Sequence, residues 1–130
     1  MKLGYVILHV PDVDAAVAFY ERAFGLARRF VHDSGQYAEM ETGGTALAFA
    51  SHALAEANGL PLGPASRDVL PFGTEIALVT DDVQAAFRRA LGAGASAAVE
   101  PAARPWGQIV GYVRDPNGIL VELCTPIGSG

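Results

Sequence analysis

The stretch Asp12-Val13-Asp14-Ala15-Ala16 returns seventy residues later as Asp82-Val83-Gln84-Ala85-Ala86. The surroundings repeat with it. Residues 4–10 and 74–80 are β-rich runs, each followed by an acidic residue suited to cap a helix N-terminus. Amphipathic helices are expected over 13–24 and 83–91, stopped near Gly25 and Gly94. Short strands follow at 28–32, 36–41 and 45–51, and again at 96–99, 109–114 and 119–125. An internal repeat on this scale means two equivalent units, each a strand, a helix and three strands. The expected fold class is therefore α+β, two βαβββ modules. Residues 1–52 form the first module and 73–130 the second. Residues 53–72, with Pro61, Pro64 and Pro71, form a linker that is long enough to act as a lid, in which residues 53–58 could form one helical turn or two.

Alternation divides each sheet into two faces. Val6, Leu8, Val10, Leu47 and Phe49 are uniformly apolar, as are Ile76, Leu78, Val121 and Leu123. These should meet the helices. The opposite face carries Tyr5, Ile7, His9, Ala46, Ala48, Ala50, His52, Glu75, Ala77, Leu120, Glu122 and Tyr112. A mixed face with a few placed carboxylates and a row of small alanines suits the wall of a ligand cleft between the modules. Asp115-Pro116-Asn117-Gly118 is a strong hairpin turn. A type I turn with a glycine bulge pairs Asp115 with Ile119, which sets Tyr112 opposite Glu122 and Val110 near Cys124.

The chain has 130 residues, 51% of them hydrophobic, enough for a proper core. A formal charge of −5 without any basic run argues against nucleic acid as a partner. No apolar stretch reaches ~20 residues, so no membrane span is expected. Met1-Lys2-Leu3 runs straight into a strand pattern, so neither a signal peptide nor export is expected, and a cytoplasmic location follows. Cys124, the single cysteine, cannot form an internal disulfide and reads as a buried thiol.

Several motifs together resemble the vicinal oxygen chelate superfamily, of the glyoxalase, bleomycin-resistance and dioxygenase type. They are Val10-Pro11-Asp12, Phe19-Tyr20-Glu21-Arg22-Ala23-Phe24-Gly25-Leu26, Trp106-Gly107-Gln108, and Arg114-Asp115-Pro116-Asn117-Gly118 through Glu122-Leu123. The resemblance covers nearly all of the chain except the linker. It implies paired βαβββ modules around a half-barrel cleft, usually in a homodimer. It also implies, for the enzymes of the superfamily, a divalent metal held by one residue from the first and one from the last strand of each module. Those positions map to Tyr5, Ala48, Glu75 and Glu122. Ala48 has no donor atom and a neutral tyrosine is a poor ligand, so the first module departs from the metal-binding pattern.

The resemblance is then to the drug-binding branch, in which the cleft sequesters a ligand without a metal. A planar aromatic ligand would meet Trp106, Tyr5 and Tyr112, with Glu75 and Glu122 accepting its donors or its positive charge. His9, Ala48 and His52 complete the candidate ligand contacts. Mutual repulsion between Glu75 and Glu122 should raise one of their pKa values. No cofactor is expected on this reading. The alternative is a divalent-metal-dependent, glyoxalase-like lyase or isomerase that uses Glu75 and Glu122 as ligands, or Glu122 as a catalytic base. Each candidate also has a structural reading: Glu122 paired with Arg104 or Arg114, Trp106 as a core or interface anchor, His9 and His52 as packing residues.

Overall fold

The computed structural model describes residues 1–127 apart from Pro61 and Pro64. Two positions of the expected linker and the last three residues of the chain thus lie outside the described residues. The chain divides into two compact units, Met1–Pro64 and Ala65–Gly130.

In the first unit, β1 (Tyr5–Val10) leads into α1 (Val13–Phe24), then β2 (Ala27–Val31), β3 (Tyr37–Glu41), β4 (Ala46–Ser51) and a short α2 (His52–Ala57). The sheet order is β1-β4-β3-β2, with β1 parallel to β4 and the other pairs antiparallel. α1 starts where the sequence says it should, because the Asp12 carboxylate accepts from the Ala15 amide at 3.0 Å. Its buried stripe is Val13, Ala16, Val17, Phe19, Tyr20 and Ala23. Phe24, expected in that stripe, is only half-buried. It still closes an aromatic cluster in which the Tyr20 ring lies 5.2 Å from Phe24 and 4.9 Å from Phe49. Each such buried side chain contributes about 1.5–3 kcal/mol.

The second unit repeats the plan: β5 (Ile76–Val79), α3 (Val83–Gly92), β6 (Ser96–Ala103), β7 (Ile109–Arg114) and β8 (Leu120–Cys124), in the order β5-β8-β7-β6. Asp82 caps α3 as Asp12 caps α1. Val83, Phe87, Val113, Val121 and Leu123 are buried in its core. The two βαβββ modules of the sequence are both present.

Two stretches differ from expectation. β6 continues past residue 99 to Ala103 despite Pro101, because it is the edge strand and its pairing with β7 is interrupted twice. A proline is tolerated at such an edge, where no partner needs its missing amide hydrogen. The other is His52, expected to open the linker ahead of the helical turns allowed at 53–58, which lies in that helix itself. Ser51 caps α2 by accepting from the Leu54 amide at 2.9 Å, so His52 opens a helix rather than a loop.

The hairpin at the end of the chain has the expected register: Tyr112 pairs with Glu122 and Val110 with Cys124. Asp115 is fully buried, and its carboxylate accepts from the Asn117 and Ile119 amides at 2.8 and 2.9 Å. Gly118 has φ +87, and a Cβ there would run into the carbonyl of Ser66. Arg114 makes the same approach from its side chain. It donates to the carbonyl oxygens of Gly118 (3.0 Å), Ser66 (2.9 Å) and Arg67 (3.4 Å). Residues 66–67 are therefore strapped onto the hairpin. No helix among the described residues is long and apolar enough to cross a membrane.

Candidate functional site

Within the second unit, the candidate acids do come together. Glu122 points from β8 to the same face as Tyr112 on β7, and the Tyr112 hydroxyl donates to Glu122 Oε1 at 2.9 Å. A hydrogen bond to a charged acceptor stabilises by about 1.5–3 kcal/mol. It also makes the phenol harder to ionise. That bond, and then burial, push the Tyr112 pKa up to about 12. Glu75 lies one residue before Ile76, which pairs with Val121, so its side chain sits diagonally beside Glu122. Its pKa is raised by partial burial, by the Glu122 charge and by a hydrogen bond between the two carboxyls. Glu75 keeps much of its side chain in solvent, so the neighbouring charge is the more durable cause. The Glu122 charge thus acts on Glu75, whose carboxyl is raised.

No salt bridge reaches Glu75 or Glu122 among the described residues. The arginines offered as structural partners for Glu122 are placed otherwise: Arg114 binds the carbonyls of the strap, and Arg104 acts on Tyr112 only through its charge. Cys124 shares the Glu122 face and is buried. Burial first, then a hydrogen bond with Glu122, push its thiol up to about 11, so it stays protonated at neutral pH.

Trp106 lies at the opposite end of this sheet from Glu75. It is 60% exposed, and its indole N–H donates to Gln108 Oε1 at 2.7 Å. Gln108 in turn donates from Nε2 to the Thr125 carbonyl at 2.7 Å. Thr125 is three residues past Glu122, ~10 Å of strand, so Trp106 and the carboxylates mark two ends of one surface rather than a single contact.

In the first unit the equivalent positions are chemically different. Tyr5 is 58% exposed, and Ala48 is 0% exposed. Ala48 has Ile7 on one side in the ladder and Glu39 on the other. Glu39 is the acid that sequence reasoning missed. It is 7% exposed, accepts from the Tyr37 hydroxyl at 2.8 Å, and is paired with Arg29 at 3.1 Å. Tyr37 is raised to about 12 by burial and by that bond. Arg29 also holds Glu41 at 2.8 Å. The alternation Tyr37-Ala38-Glu39-Met40-Glu41 carried the signal, since it puts all three polar groups on one face of β3. His9 pairs with Ala50 in the ladder and is half-buried. His52 is half-buried at the start of α2, and its Nε2 is buried without a hydrogen-bond partner.

The donor set does not fit a four-ligand divalent metal site of the kind the resemblance implies. Ala48 supplies no atom and Tyr5 only a phenol, which leaves the carboxyls of Glu75 and Glu122. Two carboxylates make at most half of such a shell.

The comparisons with known proteins come down to one family. The sequence profile described as Glyoxalase/Bleomycin resistance protein/Dioxygenase superfamily matches residues 2–123. No curated protein sequence matches significantly. Among solved structures, a glyoxalase-related enzyme from Fulvimarina pelagi superimposes with a TM-score of 0.83 at 25% identity, over 99% of this chain and 94% of that one. TioX from Micromonospora sp. ML1 gives 0.72 at 25% identity, over 96% and 98%. A glyoxalase/bleomycin resistance protein/dioxygenase family enzyme from Burkholderia phytofirmans PsJN gives 0.78 at 21% identity, over 96% and 98%, and supports the fold alone. With its repeated βαβββ modules and a profile match along nearly its whole length, the chain belongs to the glyoxalase/bleomycin resistance protein/dioxygenase superfamily.

Proposed function

We propose that the protein binds and sequesters a small planar molecule that carries a proton donor or a positive charge, and that it does so without a metal. The observation that carries this reading is the Glu75–Glu122–Tyr112 cluster. Two carboxyls face each other, the Glu122 charge raises Glu75, one phenol donates to Glu122, and no salt bridge reaches either acid among the described residues. A protonated amine placed there would relieve the repulsion. Trp106, exposed at the other end of the same sheet, suits the aromatic end of the same ligand. In the first unit, Tyr5, His9, Ala48 and His52 are ligand contacts in this proposal, and the protein works as a cytoplasmic homodimer.

The test is calorimetric titration with a panel of planar aromatic cations and matched neutral analogues, on protein stripped of metal by a chelator. Binding of the cations should survive stripping and weaken about tenfold in Glu122→Gln, the loss of a charge-assisted contact. If no cation binds, or if binding returns only with added Zn, Ni or Mn, sequestration without metal is wrong.

A second reading, a lyase or isomerase, is favoured by the same adjacent carboxyls and by the 25% identity to a glyoxalase-related enzyme. Glu122 would take a proton from the substrate and Glu75 would return one. Turnover of an α-hydroxycarbonyl or hemithioacetal substrate, lost in Glu122→Gln, would establish it.

A further inference from the structure

Trp106 is the only tryptophan in the chain. Such an exposed indole would ordinarily leave its N–H to solvent or to a ligand. Here the N–H is already spent on Gln108 Oε1. Gln108 has no freedom to turn its amide over. The indole N–H can only donate and the Thr125 carbonyl can only accept, so the two partners together require Oε1 toward Trp106 and Nε2 toward Thr125. Gln108 is 7% exposed, so water competes poorly for either bond. Thr125 is held a second time, because its hydroxyl accepts from the Ile109 amide at 3.1 Å and its own amide donates to the Ile109 carbonyl at 3.1 Å. The anchor at the far end of the chain of bonds is therefore the β7–β8 ladder itself.

We propose that Gln108 is the positioning residue for Trp106, and that it restricts this end of the surface to ligands recognised through the face of the indole. The geometry offers a ligand a fixed π-surface and no in-plane donor. Planar aromatic groups and cations meet the ring face, whereas a ligand whose recognition depends on accepting from the indole N–H finds that donor occupied. The ligand part of this inference rests on the binding function proposed above; the positioning part does not.

Both parts can be read from one fluorophore. In the unmutated protein, NMR should show the Trp106 indole N–H exchanging at least ~10-fold more slowly than a free indole, as a bonded donor does. In Gln108→Met, close in shape but without the acceptor, time-resolved anisotropy should show about twice the amplitude of fast ring motion. Gln108→Glu keeps an acceptor for the indole but loses the donor to the Thr125 carbonyl, and should return the ring only part of the way toward its native motion. Exchange at the free rate in the unmutated protein, or unchanged anisotropy in a folded Gln108→Met, overturns the positioning role, and the first measurement decides the matter if that variant does not fold. N-methylquinolinium should quench Trp106, bind about threefold more weakly to Gln108→Met, and outcompete indole-acceptor ligands such as aliphatic carboxylates. Carboxylates that bind at Trp106 as well as quinolinium does overturn the specificity. A protected N–H in a protein that binds neither probe leaves Gln108 as a positioning residue and removes the binding function instead.

Discussion

Glu39 and Glu122 each accept a hydrogen bond from a tyrosine on their own sheet, and their remaining neighbours give them opposite characters. Glu39 is buried and has Arg29 against it, so its charge is spent within the fold. Glu122 is only half-buried and has another acid beside it, so its charge is available. This predicts different outcomes for the same substitution. Glu39→Gln keeps an acceptor for Tyr37 but removes the charge facing Arg29, which is exposed and keeps Glu41, and should lower the unfolding free energy by about 1 kcal/mol or less. Urea denaturation measures it, and an unchanged midpoint would mean the Arg29 contact contributes nothing. Residue types were enough to nominate Glu75, Glu122, Tyr112 and Trp106. They were silent on Glu39 and Gln108, whose importance comes from cross-strand and cross-turn partners.

At the level of the element, the closing hairpin was fully legible: turn chemistry, alternation and loop length select one register. Its contact with residues 66–67 was not, because a side chain reaching back 48 residues along the sequence leaves no local pattern. Gly118 records that contact. Gly118→Ala meets two obstacles, a left-handed φ and the Ser66 carbonyl, whereas Gly35→Ala, at φ +71, meets only the first, with open space around it. Left-handed strain alone amounts to about 1–2 kcal/mol. Gly35→Ala should lose that much, and Gly118→Ala clearly more, with faster tryptic cleavage after Arg67 as the strap comes away. Equal losses in the two variants would show that the strap yields without resistance. The limits of β6 were misjudged for a related reason, since Pro101 looks like a terminator until the strand is known to lie at an edge.

For the whole molecule, the acids set the response to pH. Glu21 and Glu41 are held below the usual value of 4.5 by Arg28 and Arg29, so their contribution is present above 4.5 and fades as the pH falls through the lowered values. Glu75 is raised, so its contribution is complete below 4.5 and fades as the pH rises through its higher value. The net charge, −5 at pH 7, adds self-repulsion in the same upward direction. Melting temperature should therefore decline as the pH rises above about 4.5. Glu75→Gln should make that decline shallower, by about half a kcal/mol or less given how exposed the group is. A decline unaltered by Glu75→Gln would mean that neither burial nor Glu122 raises the Glu75 carboxyl.

The sequence by itself determined the duplicated βαβββ plan, the helix caps, the faces of the strands and the final register, because each follows from contacts a few residues apart and from periodicity repeated in both halves. Only the tertiary structure decided which acids are neutralised. Arg29 is ten residues from Glu39 in sequence and bonded to it in space, while Arg114, in the strand beside Glu122, is turned to backbone carbonyls. Charge pairing depends on where long side chains end rather than on where they begin, and alternation along a strand carries no record of that.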